Sequence, residues 1–542
     1  MEIEVKPKYR FFFQRTELEF ADPRFSSKRL TAYNKAILKP DLEGRLIRKH
    51  LKKVKLIHTI EGKAKNSADL IIQFPQRILA SLRSLHIPFG VAKENKKIFY
   101  KMRKILKNIK NLFWTANLKT DSLRLYRGLK ELAILGPIQN LRLFDGMRSL
   151  EIFKIIAFKS LLPFQYFQKL LEFLLRDSIK GFELRVLYIK DFKKCLENRK
   201  HPSYLKMKSL HLLQAKEESL QVIPIFENLE YLQIRLQAIE GTTKNEYVKY
   251  FRHLVLLHQL KELHLAIHYF GNLLEIFSDV FFLPDSLQVL NLKFNNIYLS
   301  YMALNSSIDY FGFLRNMANC TKLRTLKLAF EVYAERHMYE CTLELPDTLQ
   351  ALTKLELELS GMTACLLYPT WRSILKLKGI KELNLSFREV NFARVGAHTL
   401  EDFPSQIEKI YFKTYFTKSL GELEFNKLLQ LVNANNNLTS MTFILQDICN
   451  EQIVSLLTES LVNKKNLEEF GLGLSLSRMN SDSFERMRKG IIKCRKLRKI
   501  NLFVGTDGDI DSLVEFYQSL KQHSNNYQVK LIKPEQNRES LS

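Results

Sequence analysis

A six-residue pattern, apolar-x-x-apolar-x-apolar, returns along this chain at a nearly constant interval, and no other feature restricts the fold as strongly. Its first positions are read at Leu82, Ile109, Leu129, Leu150, Leu184, Met207, Leu229, Leu260, Leu287, Leu323, Leu352, Ile380, Ile407, Leu438, Leu467 and Leu497. Sixteen hexads over 415 residues give a mean period near 28. Because 46% of the residues are apolar, about a tenth of all start positions match one hexad by composition, so a single match carries nothing. Order carries the signal. LRTLKL at 323, LTKLEL at 352, IKELNL at 380, IEKIYF at 407, LTSMTF at 438, LEEFGL at 467 and LRKINL at 497 follow one another at 29, 28, 27, 31, 29 and 30 residues.

Inside each unit the apolar period switches. The last two apolar residues of a hexad alternate as in a short strand, whereas the intervening segment follows 3.6-residue spacing. Ile453, Leu456, Leu457 and Leu461 form one helical stripe; Phe484, Met487, Ile491 and Cys494 form the next, and Leu513, Phe516, Tyr517 and Leu520 a third. Asp482-Ser-Phe-Glu485 and Ser512-Leu-Val-Glu515 have capping-box chemistry, which places two helix starts. A strand plus a helix leaves one face of each uncovered, so a unit is complete only when its neighbours stack on it.

The hexads resemble the leucine-rich-repeat family, and the long helical halves are similar to its ribonuclease-inhibitor-like subclass. Leu287-Gln-Val-Leu290-Asn-Leu292-Lys-Phe-Asn295-Asn-Ile297 fits L-x-x-L-x-L-x-x-N-x-L throughout, and Cys320 and Cys494 stand three residues ahead of their hexads, as in members of that subclass. The resemblance implies an α/β leucine-rich-repeat solenoid with a parallel sheet on the concave face and helices on the convex face. It covers about residues 76–532, with residues 1–75 as a basic N-terminal cap region and 533–542 as a disordered tail. In the family an asparagine bonds the neighbouring loops, and here only Asn117 and Asn295 occupy that position. The expectation is therefore an irregular horseshoe, with larger loops where the interval stretches to 34 after Leu150 and 36 after Leu287.

Charge is distributed unevenly. Of a formal net charge of +27, residues 1–110 carry +17 from 27 Lys+Arg and 10 Asp+Glu. Two amphipathic basic segments, 45–58 and 93–110, dominate it, and Arg48, Lys52, Lys53, Lys97, Lys101 and Lys104 are the candidates for holding RNA, an anionic membrane or an acidic protein. The bland reading of both segments is a helix that packs its apolar side and solvates its lysines. Six cysteines without a C-x-x-C pair point to a reducing, intracellular compartment, the cytoplasm first and the nucleus as the alternative. No signal peptide and no transmembrane span is read.

Positions 3, 5 and 7 of the hexads should line the concave sheet face, with equivalent positions stacked about 5 Å apart. The middle column is read as His86, Phe113, Ala133, Lys154, Tyr188, His211, Gln233, His264, Asn291, Lys327, Glu356, Asn384, Tyr411, Thr442, Gly471 and Asn501. Nine cations and six glutamates alternate on the face beside Tyr188, Tyr231, Tyr411 and Phe503, a mixture that suits a protein partner better than an unbroken nucleic-acid stripe. Tyr188, Tyr231, His264, Asn291, Lys327 and Tyr411 are the candidate partner-binding residues.

Phosphate-binding and hydrolase motifs are missing from the sequence, so no catalytic residue is assigned. No metal or other cofactor is assigned either: His264 is placed on a strand and His268 in the loop beyond it, and Asp507-Gly-Asp509 lacks the rest of a calcium loop. The cysteines at 320 and 494 are read as buried packing residues. The function expected is a non-enzymatic protein-protein interaction scaffold, with a ribonucleoprotein or other polyanion-bound assembly as the alternative. A ubiquitin-ligase substrate adaptor is a third reading, although residues 1–75 show no recognisable F-box. The sequence sets no oligomeric state.

Overall fold

The computed structural model describes residues 110–115, 128–135, 147–198, 200–216, 219–237, 251–268, 281–298, 312–333, 344–361, 373–374, 376–388, 406–415, 429, 432–433, 435–445, 451–474, 481–503, 510–522 and 528–532, and the backbone of 17–20, 53–56 and 84–86. It divides into two units. Residues 1–215 and 225–234 make the first; 216–224 and 235–542 make the second.

In the first unit the strands are β1 (Glu17–Phe20), β2 (Lys53–Leu56), β3 (Ser84–His86), β4 (Asn111–Thr115), β5 (Glu131–Leu135), β6 (Ile152–Leu162), β7 (Gly181–Ile189) and β8 (Met207–Ala215). Each pairs in parallel with the next in sequence. The chain divides within β9 (Tyr231–Gln237). The second unit continues the pattern with β10 (Glu262–His268), β11 (Val289–Tyr298), β12 (Thr325–Tyr333), β13 (Lys354–Ser360), β14 (Glu382–Arg388), β15 (Lys409–Tyr415), β16 (Ser440–Leu445), β17 (Glu469–Leu474), β18 (Lys499–Phe503) and β19 (Gln528–Ile532), again all parallel in chain order. One strand per hexad, consecutive and parallel, is the architecture of a leucine-rich-repeat solenoid. Two strands, β1 and β2, lie within the segment 1–75 assigned to the cap, where no hexad had been read.

Parallel strands need a fixed register, and the backbone supplies it once per repeat. The carbonyl at the second hexad position accepts two N–H groups, from the second and third positions of the next hexad. Gln288 O accepts from Arg324 N and Thr325 N at 2.8 and 3.0 Å; Arg324 O accepts from Thr353 N and Lys354 N at 2.9 and 3.0 Å; Thr353 O accepts from Lys381 N and Glu382 N at 2.8 and 3.0 Å. The same pair of bonds joins Lys110 to 130–131, Lys130 to 151–152, Glu151 to 180–181 and Glu468 to 498–499.

The hexad apolar positions fill the core. Leu323, Leu326 and Leu328 are fully buried, as are Leu352, Ile380 and Leu383. Each such side chain contributes about 1.5–3 kcal/mol of burial, and the phenylalanines extend contact from one repeat to the next. Phe294 stacks on Phe330 with centroids 5.3 Å apart and planes within 3°, and Phe153 stacks on Phe182 at 5.9 Å.

That register corrects one hexad. Glu151 O bonds the N–H groups of Lys180 and Gly181, which makes Ile179, not Leu184, the first apolar position of its unit. The interval after Leu150 is then 29 residues and the expected stretch to 34 disappears. The 36-residue interval after Leu287 persists and coincides with a register shift between Phe294 and Ile297.

Helical halves are clearest near the C-terminal end of the second unit, where β16, α3 (Glu451–Asn463), β17, α4 (Ser481–Lys493), β18, α5 (Ile510–Gln522) and β19 alternate. Elsewhere the described return segments include α1 (Phe164–Leu174), the single turn α2 (Ser219–Val222) and several 3₁₀ stretches such as Arg252–Leu256 and Gly312–Asn319. The helices α4 and α5 begin ahead of their expected caps, so Asp482 lies in the first turn of α4, where its negative charge favours the exposed N–H groups. Leu161 and Leu162 end β6; Pro163 closes the strand and α1 buries Phe167, Leu171 and Leu174.

Buried polar groups tie successive return segments together. The Lys464 ammonium, 2% exposed, donates to the backbone carbonyls of Asn433, at 2.9 Å, and Asn435 in the preceding repeat. Asn435 Nδ2 in turn donates to Ile407 O at 2.8 Å. Cys320 and Cys494 occupy the same place in their repeats, and their thiols reach Pro284 O at 3.7 Å and Leu461 O at 3.3 Å. Burial pushes these thiols up to about 12 and about 11, far from a nucleophilic thiolate.

Two measurements check this packing. A Cβ at Gly379 would lie 2.5 Å from Gln350 O and 2.8 Å from Leu352 O, backbone atoms that cannot swing away. Gly379→Ala should lower stability by about 1–3 kcal/mol in denaturant unfolding. Burial pulls the Lys464 ammonium down to about 8, from an ordinary 10.5. Between those values the unfolded chain holds a proton that the folded one releases, so stability should rise with pH across that window and stay flat in this respect below it. Lys464→Met should remove the rise in pH-dependent thermal unfolding.

Candidate sheet-face binding site

Along each strand, odd hexad positions face away from the apolar core, because successive side chains alternate across the sheet. In the second unit the middle column is His264, Asn291, Lys327, Glu356, Asn384, Tyr411, Thr442, Gly471, Asn501 and Lys530, all directly opposite one another in register. Four of the expected partner-binding residues, His264, Asn291, Lys327 and Tyr411, are thus brought into one line. In the first unit the line runs through His86, Phe113, Ala133 and Lys154 to Glu183 and Ser209. Tyr188 does not belong to it: it pairs with Leu161, five residues beyond Glu183. Its expected place followed from starting the hexad at Leu184; the Ile179 start, visible as IKGFEL, would have found Glu183.

Lateral ion pairs cover much of this face. Lys154 lies between Glu131, at 3.0 Å, and Glu183, at 2.7 Å. Burial works against its charge, but the Glu183 and Glu131 carboxylates outweigh it and raise the ammonium above its ordinary value. In the second unit Glu356 takes Lys327 at 3.3 Å and Lys354 at 2.8 Å, while Glu382 takes Lys409 at 2.5 Å; Lys499 pairs with Glu469. Burial opposes the Glu356 carboxylate, and Lys354 and Lys327 outweigh it to hold the group below the usual range. Stacking therefore sets charge beside opposite charge across strands.

A second network surrounds Tyr231. Its ring stacks on His211 with centroids 4.5 Å apart, and His211 connects Ser209 Oγ at 3.0 Å to Gln233 Oε1 at 2.8 Å. Gln233 Oε1 accepts from Nδ1–H, and the Ser209 hydroxyl completes the bond at Nε2. Ser209 and His211 are 7% and 3% exposed, so this chain of contacts positions the Tyr231 ring without presenting an accessible nucleophile.

His264 and His268 both lie in β10, contrary to the loop expected for His268. Asn291 and Asn295 bond them at 3.3 and 3.2 Å, so Asn295 serves a neighbouring side chain and not the loop backbone. Four residues of strand separate the two imidazoles by about 13 Å, too far for one metal ion. Among the described residues no group of three His, Cys, Asp or Glu could hold a metal.

Of the basic candidates, Arg48, Lys52, Lys97, Lys101 and Lys104 lie outside the described residues, as do Asn117 and the 507–509 loop. Lys53 opens β2, opposite Glu17 and Ser84 in register.

The fold and this face define a leucine-rich-repeat solenoid whose sheet surface is a mixed, laterally paired lattice of charge. No protein-family model matches the chain, and no curated protein matches it. Among solved structures, an internalin (inlF) from Listeria monocytogenes str. 4b F2365 is similar at 13% identity and a TM-score of 0.31, covering 78% of this chain and 88% of that one. A TLR13–ssRNA13 complex is similar at 13% identity and a TM-score of 0.34, covering 88% of this chain and 64% of that one. Neither adds to what the strand register establishes.

Removing Lys154 should leave Glu131 and Glu183 facing each other without a cation. Lys154→Ala is expected to cost about 1 kcal/mol at low salt, with the loss shrinking in high salt as screening weakens both effects. Denaturant unfolding at two ionic strengths measures it.

Proposed function

We propose that this protein is a non-enzymatic scaffold whose sheet face binds a protein partner. The observation that supports this most is the lateral pairing of charge: Lys154, Lys327, Lys409 and Lys499 are already engaged by glutamates of adjacent strands, and Lys354 by Glu356 of its own strand. A polyanion would have to displace those carboxylates, whereas a protein surface can meet a near-neutral mosaic with matched polar groups around aromatic anchors. Tyr411 is the proposed anchor of the second unit, in one line with His264, Asn291 and Lys327, and Tyr231 is that of the first. Assignment to the ribonuclease-inhibitor-like subclass belongs to the same proposal, supported by the strand-helix alternation from β16 to β19. Residues 1–75 are proposed to close the first unit's outer end. Among the described residues no helix is long and apolar enough to cross a membrane.

The test is affinity capture from native extract with the full chain and its Tyr411→Ala and Tyr231→Ala variants, with and without nuclease. Capture that survives nuclease and moderate salt but falls at least tenfold in the variants is the expected result. Loss on nuclease treatment, with steep salt dependence and no effect of either substitution, would instead place binding on nucleic acid.

A further inference from the structure

The lateral pairing of face charges has a gap at β10 to β12. Lys293 stands at the seventh hexad position of β11, directly opposite Ala266 on one side and Ala329 on the other. Where Lys327 or Lys354 meets glutamates on adjoining strands, Lys293 meets two methyl groups. It is exposed and has no ion pair with a carboxylate among the described residues. Arg235, at the seventh position of its own hexad in β9, adds a second cation to the same region. His268 lies two residues from Ala266 on the same side of β10, and the positive charges of both Arg235 and Lys293 act on its imidazole.

We propose that this surface, Lys293 and Arg235 over the floor made by Ala266, is the docking point for a carboxylate side chain of the protein partner. The inference deepens the reading of the sheet face as a protein-binding surface and rests on it. Charge complementarity chooses the ligand: the exposed Lys293 has no carboxylate ion pair among the described residues, and Glu331 is the carboxylate that acts on the same imidazole as the two cations. An isolated Glu or Asp, its chain neighbours uncharged, fits such a spot and gains a charge-assisted bond to Lys293. A nucleic-acid backbone does not, because the wider face sets Glu262 and Glu356 among its cations and offers no continuous positive row for successive phosphates. The neighbouring alanines also leave space over the strands, so a carboxylate can approach the Lys293 ammonium without first breaking an internal ion pair.

His268 is a reporter already in place. Burial first, then the Arg235 and Lys293 charges, depress its proton affinity, and Glu331 opposes them. An anion seated beside the cations must weaken that effect, so binding should raise the pH at which His268 titrates. The experiment uses the full chain with ¹³C-labelled histidine rings, the His268 signal being assigned from its loss in His268→Gln. A Gly-Glu-Gly-Glu-Gly peptide is titrated in, with Gly-Gln-Gly-Gln-Gly and a single-stranded RNA hexamer as the other arms.

The expected result is an upward shift of the His268 titration with the Glu peptide alone. Lys293→Ala or Lys293→Gln should reduce the peptide's apparent affinity at this signal at least fivefold, and Lys489→Gln, on helix α4 away from the sheet face, should leave it unchanged. Two lysine variants guard against one that fails to fold, which circular dichroism detects. A His268 titration indifferent to the Glu peptide, a response insensitive to Lys293, or a larger response to RNA overturns the proposal. If Tyr411→Ala still abolishes partner capture while His268 does not respond, this docking point fails and the wider sheet-face reading stands. If the face captures no protein while His268 responds, the reverse holds.

Discussion

The whole architecture depends on one recurring backbone interaction: the carbonyl at the second hexad position receives two N–H groups from the strand that follows it. A parallel strand exposes both of its edges, and the edge left open by one repeat is the template for the next. Gln288, Arg324, Thr353, Lys381 and Glu408 pass this bond along the second unit one after another. Because the register is set there, the leucines at positions 1, 4 and 6 always fall on the buried side, and positions 3, 5 and 7 always fall on the other. Sequence periodicity and sheet geometry are two descriptions of the same constraint.

That constraint explains both the order of the face and its chemistry. A fixed register carries a lysine on one strand past a glutamate on the next at a spacing close to 5 Å, so the charges of the face satisfy one another before any partner arrives. The side chains at position 3 ahead of the hexad serve the return segments in the same manner. Lys464, Asn435 and Cys494 each reach a carbonyl of the preceding repeat, supplying donors to backbone groups that a short helical turn leaves open. Three different residue types do one job.

The sequence made the strands legible wherever the leucine triplets kept their interval, which is why the line from His264 to Asn501 could be read in order. It failed where a competing triplet existed. Ile179, Phe182 and Leu184 make one apolar triplet and Leu184, Leu187 and Ile189 make another, so two starts are compatible with the pattern. Only the hydrogen bonds from Lys180 and Gly181 distinguish them. The strand at 53–56 belongs to a hexad that was passed over, Leu51-Lys-Lys-Val54-Lys-Leu56, inside the segment read as basic and amphipathic; the one at 17–20 escaped because Arg15 stands where the first apolar residue would be. Lateral ion pairing and the tyrosine-histidine stack were equally hidden, because both depend on which residues lie opposite one another. Helix starts were misplaced by two or three residues: caps at Asp482 and Ser512 would start the helices at 483 and 513, whereas they start at Ser481 and Ile510.

Amide hydrogen exchange tests the repeating backbone bond most directly, because it reads each N–H separately. If the account is right, the amides at the second and third hexad positions, such as Arg324 with Thr325, Thr353 with Lys354 and Lys381 with Glu382, exchange slowly as adjacent pairs that recur about every 28 residues. Fast exchange at these pairs, or protection confined to blocks unrelated to the hexads, would contradict it.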